Sequence, residues 1–218
     1  MSGRGLILAC WLSISALASP ITYQGAGGGI PDDGPGVFSS VISVPDSGFI
    51  AGGLNNVTVR LINLQHTAVS DLTVTLTQES VGVSRTLFDQ VGLPDDAPTA
   101  DLDDVYTFAS GNTGDFWTTA LLLIDTQVVP GDLAGTPASY YPINAGSNAP
   151  NDFSAAFAGI SPTGNWRLTI TDVPAFDFGT LESWELILDI EATQVPEPSS
   201  TFLVLGGACL LAIRRFLA

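Results

Sequence analysis

The sequence predicts an all-β fold, an antiparallel β-sandwich, on three observations. Glycine and proline, 23 and 14 in all, punctuate the middle of the chain and leave no helical period longer than about two turns. Apolar and polar residues instead alternate with period two in short runs rich in β-branched and aromatic side chains. The two cysteines, Cys10 and Cys209, stand near the ends, so the middle must rest on a packed core without disulfides.

In chain order, Arg4, the apolar run Gly5 to Leu12 and the small-x-small site at Ala16-Leu17-Ala18 predict a signal peptide over 1–18. Its cut falls between Ala18 and Ser19, and the protein is expected to be exported. Residues 19–28, containing "QGAGG", read as a flexible lead-in, and the folded domain is expected over 29–191. Ser40 to Val44 is a first short strand. Val57, Val59 and Leu61 then alternate with Thr58 and Arg60, and Leu72, Val74 and Leu76 alternate with Thr73, Thr75 and Thr77. Arg85 to Asp89, Val105 to Phe108 and Leu121 to Ile124 are shorter strand candidates. Trp166, Leu168 and Ile170 alternate with Arg167, Thr169 and Thr171, and Trp184, Leu186, Leu188 and Ile190 with Glu185, Asp189 and Glu191. About eight strands joined by polar loops make a sandwich or jelly roll. The stretch "PGDLAGTPASYYPINAGSNAPNDFSA" is the longest irregular one, either a functional loop layer or a mobile surface excursion.

Charge excludes one class of partner. The formal net charge is −16, all 22 acids lie between Asp32 and Glu197, lysine is absent, and Arg60, Arg85 and Arg167 are the cations between the two ends. Such a domain repels phosphate backbones, so nucleic acid is not a partner.

The candidate chemistry is sparse. His66 is the single histidine and therefore the one possible imidazole base for a Ser-His-Asp arrangement. It falls at the end of a predicted strand, and no Gly-x-Ser-x-Gly elbow accompanies it; no catalytic residue is expected, and His66 reads as a positioning residue for a loop. One histidine without nearby cysteine also disfavours zinc and iron. Asp95, Asp96, Asp101, Asp103 and Asp104 crowd one loop, and clustered carboxylates are the hard oxygen ligands of Ca²⁺; a solvated acidic loop is the alternative. Asp172 and Asp177 flank a turn before Gly179 and are either ion ligands or turn-fixing side chains. Trp166 and Trp184 fit a core, whereas Phe116, Trp117, Tyr140 and Tyr141 fall in predicted loops, freer to stack on a ligand.

The end of the chain, "VPEPSSTFLVLGGACLLAIRRFLA", occupies 195–218 and joins Pro196, Glu197 and Pro198 to an apolar segment 201–213 and to Arg214 and Arg215. The segment is short of the roughly 20 residues that a free-standing transmembrane helix needs, and the arginines would hold its end on the cytoplasmic side. Together these parts resemble the PEP-CTERM sorting tail of exopolysaccharide-making Gram-negative bacteria. That resemblance implies a hydrophobic helix that anchors the protein transiently in the inner membrane. It further implies an exosortase as processing partner, and delivery to the cell envelope or extracellular matrix.

Two stretches carry a second resemblance: "HTAVSDLTVTLT", with His66 and Asp71, and "GISPTGNWRLTITDVPAFDFGTLESWELIL", with Trp166, Asp172, Gly179 and Trp184. Flanked by "IPDDGPGVFSSVISV", "DLDDVYTF" and "YYPINAGSNAPNDFSAAFAG", they resemble the P domain (Homo B domain) of kexin/furin-like proprotein convertases over about residues 29–191. The resemblance implies a galactose-binding-domain-like jelly roll that packs against a subtilisin-like serine endopeptidase domain, here without that domain. Some P-like domains carry structural calcium, which the resemblance would place at Asp101, Asp103 and Asp104 or at Asp172 and Asp177. The expected function is non-catalytic: a binding or structural module for extracellular polysaccharide or an envelope protein. The alternatives are an accessory domain for a subtilisin-like protease in trans, or a calcium-dependent carbohydrate-binding module.

Overall fold

The computed structural model describes residues 20–32, 35–46, 54–92, 100–122, 139–173 and 177–190, all within the compact unit Ala18–Glu191. The cleavage site at Ala18 and Ser19, the sorting residues Pro196, Glu197, Pro198, Arg214 and Arg215, the segment 201–213, and Asp95 and Asp96 lie outside the described residues.

The strands are β1 (Ile21–Ile30), β2 (Gly36–Val44), β3 (Leu54–His66), β4 (Leu72–Gln78), β5 (Val83–Asp89), β6 (Leu102–Ala109), β7 (Ser139–Tyr140), β8 (Gly164–Asp172) and β9 (Gly179–Ile190). Two short helices, α1 (Phe116–Leu122) and α2 (Phe153–Phe157), and a 3-10 turn at Val69–Asp71 complete the described elements. One sheet has the order β1-β9-β3-β6-β7 and the other β2-β8-β4-β5. The pairings are antiparallel except β6 with β7. The chain crosses between sheets from β1 to β2, β2 to β3, β3 to β4, β5 to β6, β7 to β8 and β8 to β9; this is the interleaved order of a jelly-roll sandwich, with no closed barrel. Among the described residues no helix is long and apolar enough to cross a membrane.

Alternation builds the core. Along β4, Leu72, Val74 and Leu76 are fully buried while the intervening threonines are half-exposed; along β8 and β9 the inward residues include Trp166, Leu168, Ile170, Trp184, Leu186 and Leu188. Both indoles have polar partners: Trp166 Nε1 donates to Pro162 O at 2.8 Å and Trp184 Nε1 to Ser40 Oγ at 2.9 Å, so neither N–H is buried unsatisfied. Phe88, Phe108, Phe116 and Tyr140 pack as a second aromatic group, with Phe88 and Phe116 ring centroids 4.7 Å apart.

Two expectations need correction, and one open alternative narrows. The stretch 19–28 is not a flexible lead-in: from Ile21 on it is β1, paired with β9 over its length. Gly25 and Gly27 are there for space, since a Cβ on Gly25 would run into the Trp184 ring and one on Gly27 into the Leu181 carbonyl. Leu121 to Ile124 does not begin as a strand; Leu121 and Leu122 end α1, whose first turn is closed by Asp115 Oδ1 accepting from the Thr118 N–H at 3.0 Å. Finally, the irregular stretch after Ser139 is pinned to the sandwich. Asn151 Nδ2 donates to Thr86 O and Ile143 O at 2.8 and 2.7 Å, and the Gly146 N–H donates to Asp89 Oδ2 at 2.7 Å.

One irregularity positions everything that follows. Val57, Val59 and Leu61 point inward on β3, but the next buried residues are Leu64 and His66, so the alternation slips by one. The slip sits at Asn63, whose φ of 46° is a left-handed conformation that asparagine tolerates better than most residues. β9 slips at the same level, from Trp184 to Leu181 and Gly179. The slip turns His66 into the sandwich and leaves Gln65, Thr180 and Phe178 outside.

Candidate functional site

At this end of the sandwich His66 on β3 pairs with Gly179 on β9 and Leu102 on β6, while Asp172 closes β8 opposite Leu72 and Gly36. A buried polar link joins the two sheets here. His66 Nε2 lies 3.1 Å from Asp172 Oδ2, and both side chains are 0% exposed. The other ring nitrogen faces the backbone of Ala68: Nδ1 is 3.1 Å from its N–H nitrogen and 2.9 Å from its carbonyl oxygen. With Nε2–H donating to Asp172, a neutral ring accepts from the Ala68 N–H and a protonated ring donates to the Ala68 carbonyl. Ring and backbone are thus matched in either state. Gly179 completes the packing, because a Cβ there would meet Gln65 O at 2.4 Å and His66 Cδ2 at 2.5 Å.

Carboxylates gather around this link. Asp71, buried in the 3-10 turn, accepts from Ser70 Oγ at 3.1 Å and shares a hydrogen bond with Asp177; Asp177 Oδ1 also accepts from Thr67 Oγ1 at 2.7 Å. Two carboxyls in contact cannot both ionise cheaply. Burial first, and then the Asp177 hydrogen bond and charge, push the Asp71 carboxyl up to about 6, with Ser70 pulling the other way. Burial also raises Asp172, partly offset by the hydrogen bond and charge of His66, with the charges of Asp32 and Asp177 acting upward. Asp172 Oδ1 is buried without a hydrogen-bond partner, which costs on the order of 1–3 kcal/mol.

In this arrangement His66 is not placed as the base of a Ser-His-Asp site. A serine protease base needs one imidazole nitrogen free to reach an activated hydroxyl. Here one nitrogen is engaged by a carboxylate and the other by main chain, and the nearby Ser70 hydroxyl is turned to Asp71. Asp103 and Asp104 are neighbours along β6 and project to opposite faces; Asp103 Oδ1 accepts from Gln65 Nε2 at 2.6 Å, and Asp104 Oδ1 accepts from the Val105 N–H at 2.6 Å. Among the described residues no group of three or more His, Cys, Asp or Glu side chains is arranged to hold a metal.

The aromatic residues taken for loop platforms belong to the core: Phe116 is 0% and Tyr140 4% exposed, and Trp117 and Tyr141 are half-buried against it. Among the described residues the exposed aromatic at this end is Phe178, 68% accessible, for which the sequence carries no site motif. It borders a cavity of about 360 Å³ with Gln65, Thr67, Asp101, Asp103 and Thr180. Apolar pairs three apart instead of two, Leu61 with Leu64 and Leu181 with Trp184, are the sequence signal that marks the slip and hence this wall.

Comparison with known proteins gives a partial match. The family model described as the proprotein convertase P-domain matches residues 139–188. No curated protein matches the chain. Among solved structures, the serine protease of Aeromonas sobria is similar at 17% identity and a TM-score of 0.38, covering 80% of this chain and 28% of that one. The same protease in complex with its chaperone gives 16% identity and a TM-score of 0.37, covering 82% and 28%. The chain thus corresponds to less than a third of the length of these proteins.

Proposed function

We propose that this chain is a non-catalytic, P-domain-like module that acts outside the cytoplasm by binding. The observation that carries this reading is the placement of the single imidazole, fully buried between Asp172 and the Ala68 backbone. The sequence holds no other histidine, and the engagement of this one between the sheets supports a reading without the imidazole base of a Ser-His-Asp arrangement. The leader 1–18 and the tail with Pro196, Glu197 and Pro198 favour export and exosortase processing, with display at the cell envelope or in its polysaccharide matrix.

A second reading, an accessory domain for a separate subtilisin-like protease, is favoured by the P-domain match at 139–188. The two readings part on what the protein is found with. Affinity purification from the native envelope, with mass analysis of the mature carboxyl terminus, should return polysaccharide or envelope protein and a chain cut near Pro198; a subtilisin-like protease in stoichiometric amount would favour the second. Hydrolysis of casein by the pure protein, abolished by His66→Ala in a variant that still folds, would refute both.

A further inference from the structure

The outer face of the five-stranded sheet carries a wall beside the cross-link, and His66 and Gly179 lie at the floor of its cavity. The strand slip places Thr180, Gln65 and Asp103 in one register row across β9, β3 and β6, with Phe178, Thr67 and Asp101 two residues further along on the same exposed side. They enclose the cavity of about 360 Å³. A second concavity of about 500 Å³ adjoins it and shares Gln65 and Thr180; it reaches past Glu182 to Gly27 and Gly28, where β1 offers no side chains. The result is a groove running across the strands, with three carboxylates along it and one exposed phenyl ring at its end.

Its hydrogen-bonding character is one-sided. Thr180 Oγ1 donates to Gln65 Oε1 at 3.2 Å, Gln65 Nε2 donates to Asp103 Oδ1 at 2.6 Å, and Thr67 Oγ1 donates to Asp177 at 2.7 Å; Asn63 Nδ2 is turned on Glu182. The donors of the wall thus point at its own acceptors, and the groove presents mainly carboxylate oxygen and a π face. A neutral sugar offers donors and acceptors together and finds little to accept from here. A guanidinium offers five donors and no acceptor, and stacks on an aromatic ring. No arginine lines either cavity, and at a net charge of −16 a second copy or an anionic polymer is repelled while a basic segment is drawn in.

We propose that this groove docks a basic, extended polypeptide segment of a partner protein, with an arginine or lysine side chain on the ring of Phe178 beside the carboxylates of Asp101 and Asp103. The inference rests on the reading of the chain as a binding module and names the chemistry of one partner. The Thr180, Gln65 and Asp103 ladder holds one carboxylate in place before the ligand arrives, which lowers the ordering cost of association.

The test is calorimetric titration of the purified full chain with a short Arg-Ser repeat peptide at low salt, alongside a Glu-Ser peptide and a neutral cello-oligosaccharide. Binding of the Arg-Ser peptide alone is expected, weakening as salt is raised. The exposed double variant Asp101→Asn/Asp103→Asn should weaken it about tenfold and Phe178→Ala about threefold. Asp46→Asn/Asp189→Asn, which removes the same charge elsewhere, should leave it within about twofold. Equal loss in the distant variant, or binding that survives the groove variants, overturns the proposal. Preference for the neutral oligosaccharide, lost on Phe178→Ala, also overturns it but leaves the binding-module reading standing; casein hydrolysis dependent on His66 removes that reading as well.

Discussion

Acidification from about pH 7.5 to pH 5 should stabilise this fold, and the cause is Asp71. Its carboxyl is buried against Asp177 and is raised from 3.8 to about 6. In the unfolded chain the same group titrates near its ordinary value, so between about pH 4 and 6 the folded state holds more protons than the unfolded one. Stability therefore falls as pH rises through that window, and above it the ionised pair carries its full cost. A displacement of about two units corresponds to roughly 3 kcal/mol over the whole titration, but at pH 5 at most about 1.4 kcal/mol of it is gained, and about 1 kcal/mol is expected once solvent screening and relaxation of the cluster are allowed for. For a domain of this size that is a rise in Tm of about 2–4 °C per kcal/mol. The raised Asp172 carboxyl acts in the same direction. Thermal melts followed by circular dichroism from about pH 4.5 to 8 would measure the slope, with Asp71→Asn as the decisive variant. Its amide can donate to Asp177 without ionising, so the variant should match or exceed the wild type at about pH 7.5 and show a flatter profile. General charge repulsion would instead leave the slope intact in the variant. A wild type that loses stability between pH 7 and 5, or an Asp71→Asn variant weaker than wild type at neutral pH, would refute the shared-proton account.

His66→Ala removes the partner of a fully buried carboxylate and should cost about 3–5 kcal/mol in urea denaturation. The double variant His66→Ala/Asp172→Asn should cost less than the sum of the two single changes; strict additivity would mean that the pair is not coupled. Gly179→Ala forces a methyl to 2.4 Å from Gln65 O and should destabilise by about 1–3 kcal/mol, measurable as a shift in the same transition. Because the described acids do not converge on an ion, EDTA should leave Tm unchanged, and a midpoint that climbs with added Ca²⁺ would place a metal on the native state.

Much of the sandwich was legible because burial on one face writes itself as period two: the inward residues of β4, β8 and the end of β9 read directly as Leu72, Val74, Leu76, Trp166, Leu168, Ile170, Trp184, Leu186 and Leu188. Two kinds of element escaped for physical reasons. β1 has glycine at Gly25, Gly27, Gly28 and Gly29 and so no side-chain pattern to read; its strand state is imposed by pairing with β9 and by the Trp184 ring lying over Gly25. The helix α1 is set by one cap, Asp115, ahead of a run whose later residues are as apolar as a strand.

The site was hidden by the slip at Asn63. Extending the alternation of Val57, Val59 and Leu61 through β3 would turn Gln65 inward and His66 to solvent, the orientation a catalytic base needs; the left-handed Asn63 reverses both. The same slip in β9 exchanges Thr180 and Phe178 for Leu181 and Gly179 on the inner face. A single backbone irregularity therefore decides two things at once: it sequesters the imidazole between the sheets, where it meets Asp172 from 106 positions away, and it sets Phe178 on the outer wall beside Asp101 and Asp103. Burying the histidine and exposing the phenyl ring are one conformational event. A variant that restores strict alternation, by deleting Asn63, should lose the His66 to Asp172 link and the groove together, and would be seen as a large drop in Tm with loss of Arg-Ser peptide binding. Retention of either property without the other would break the connection between the cross-link and the docking face.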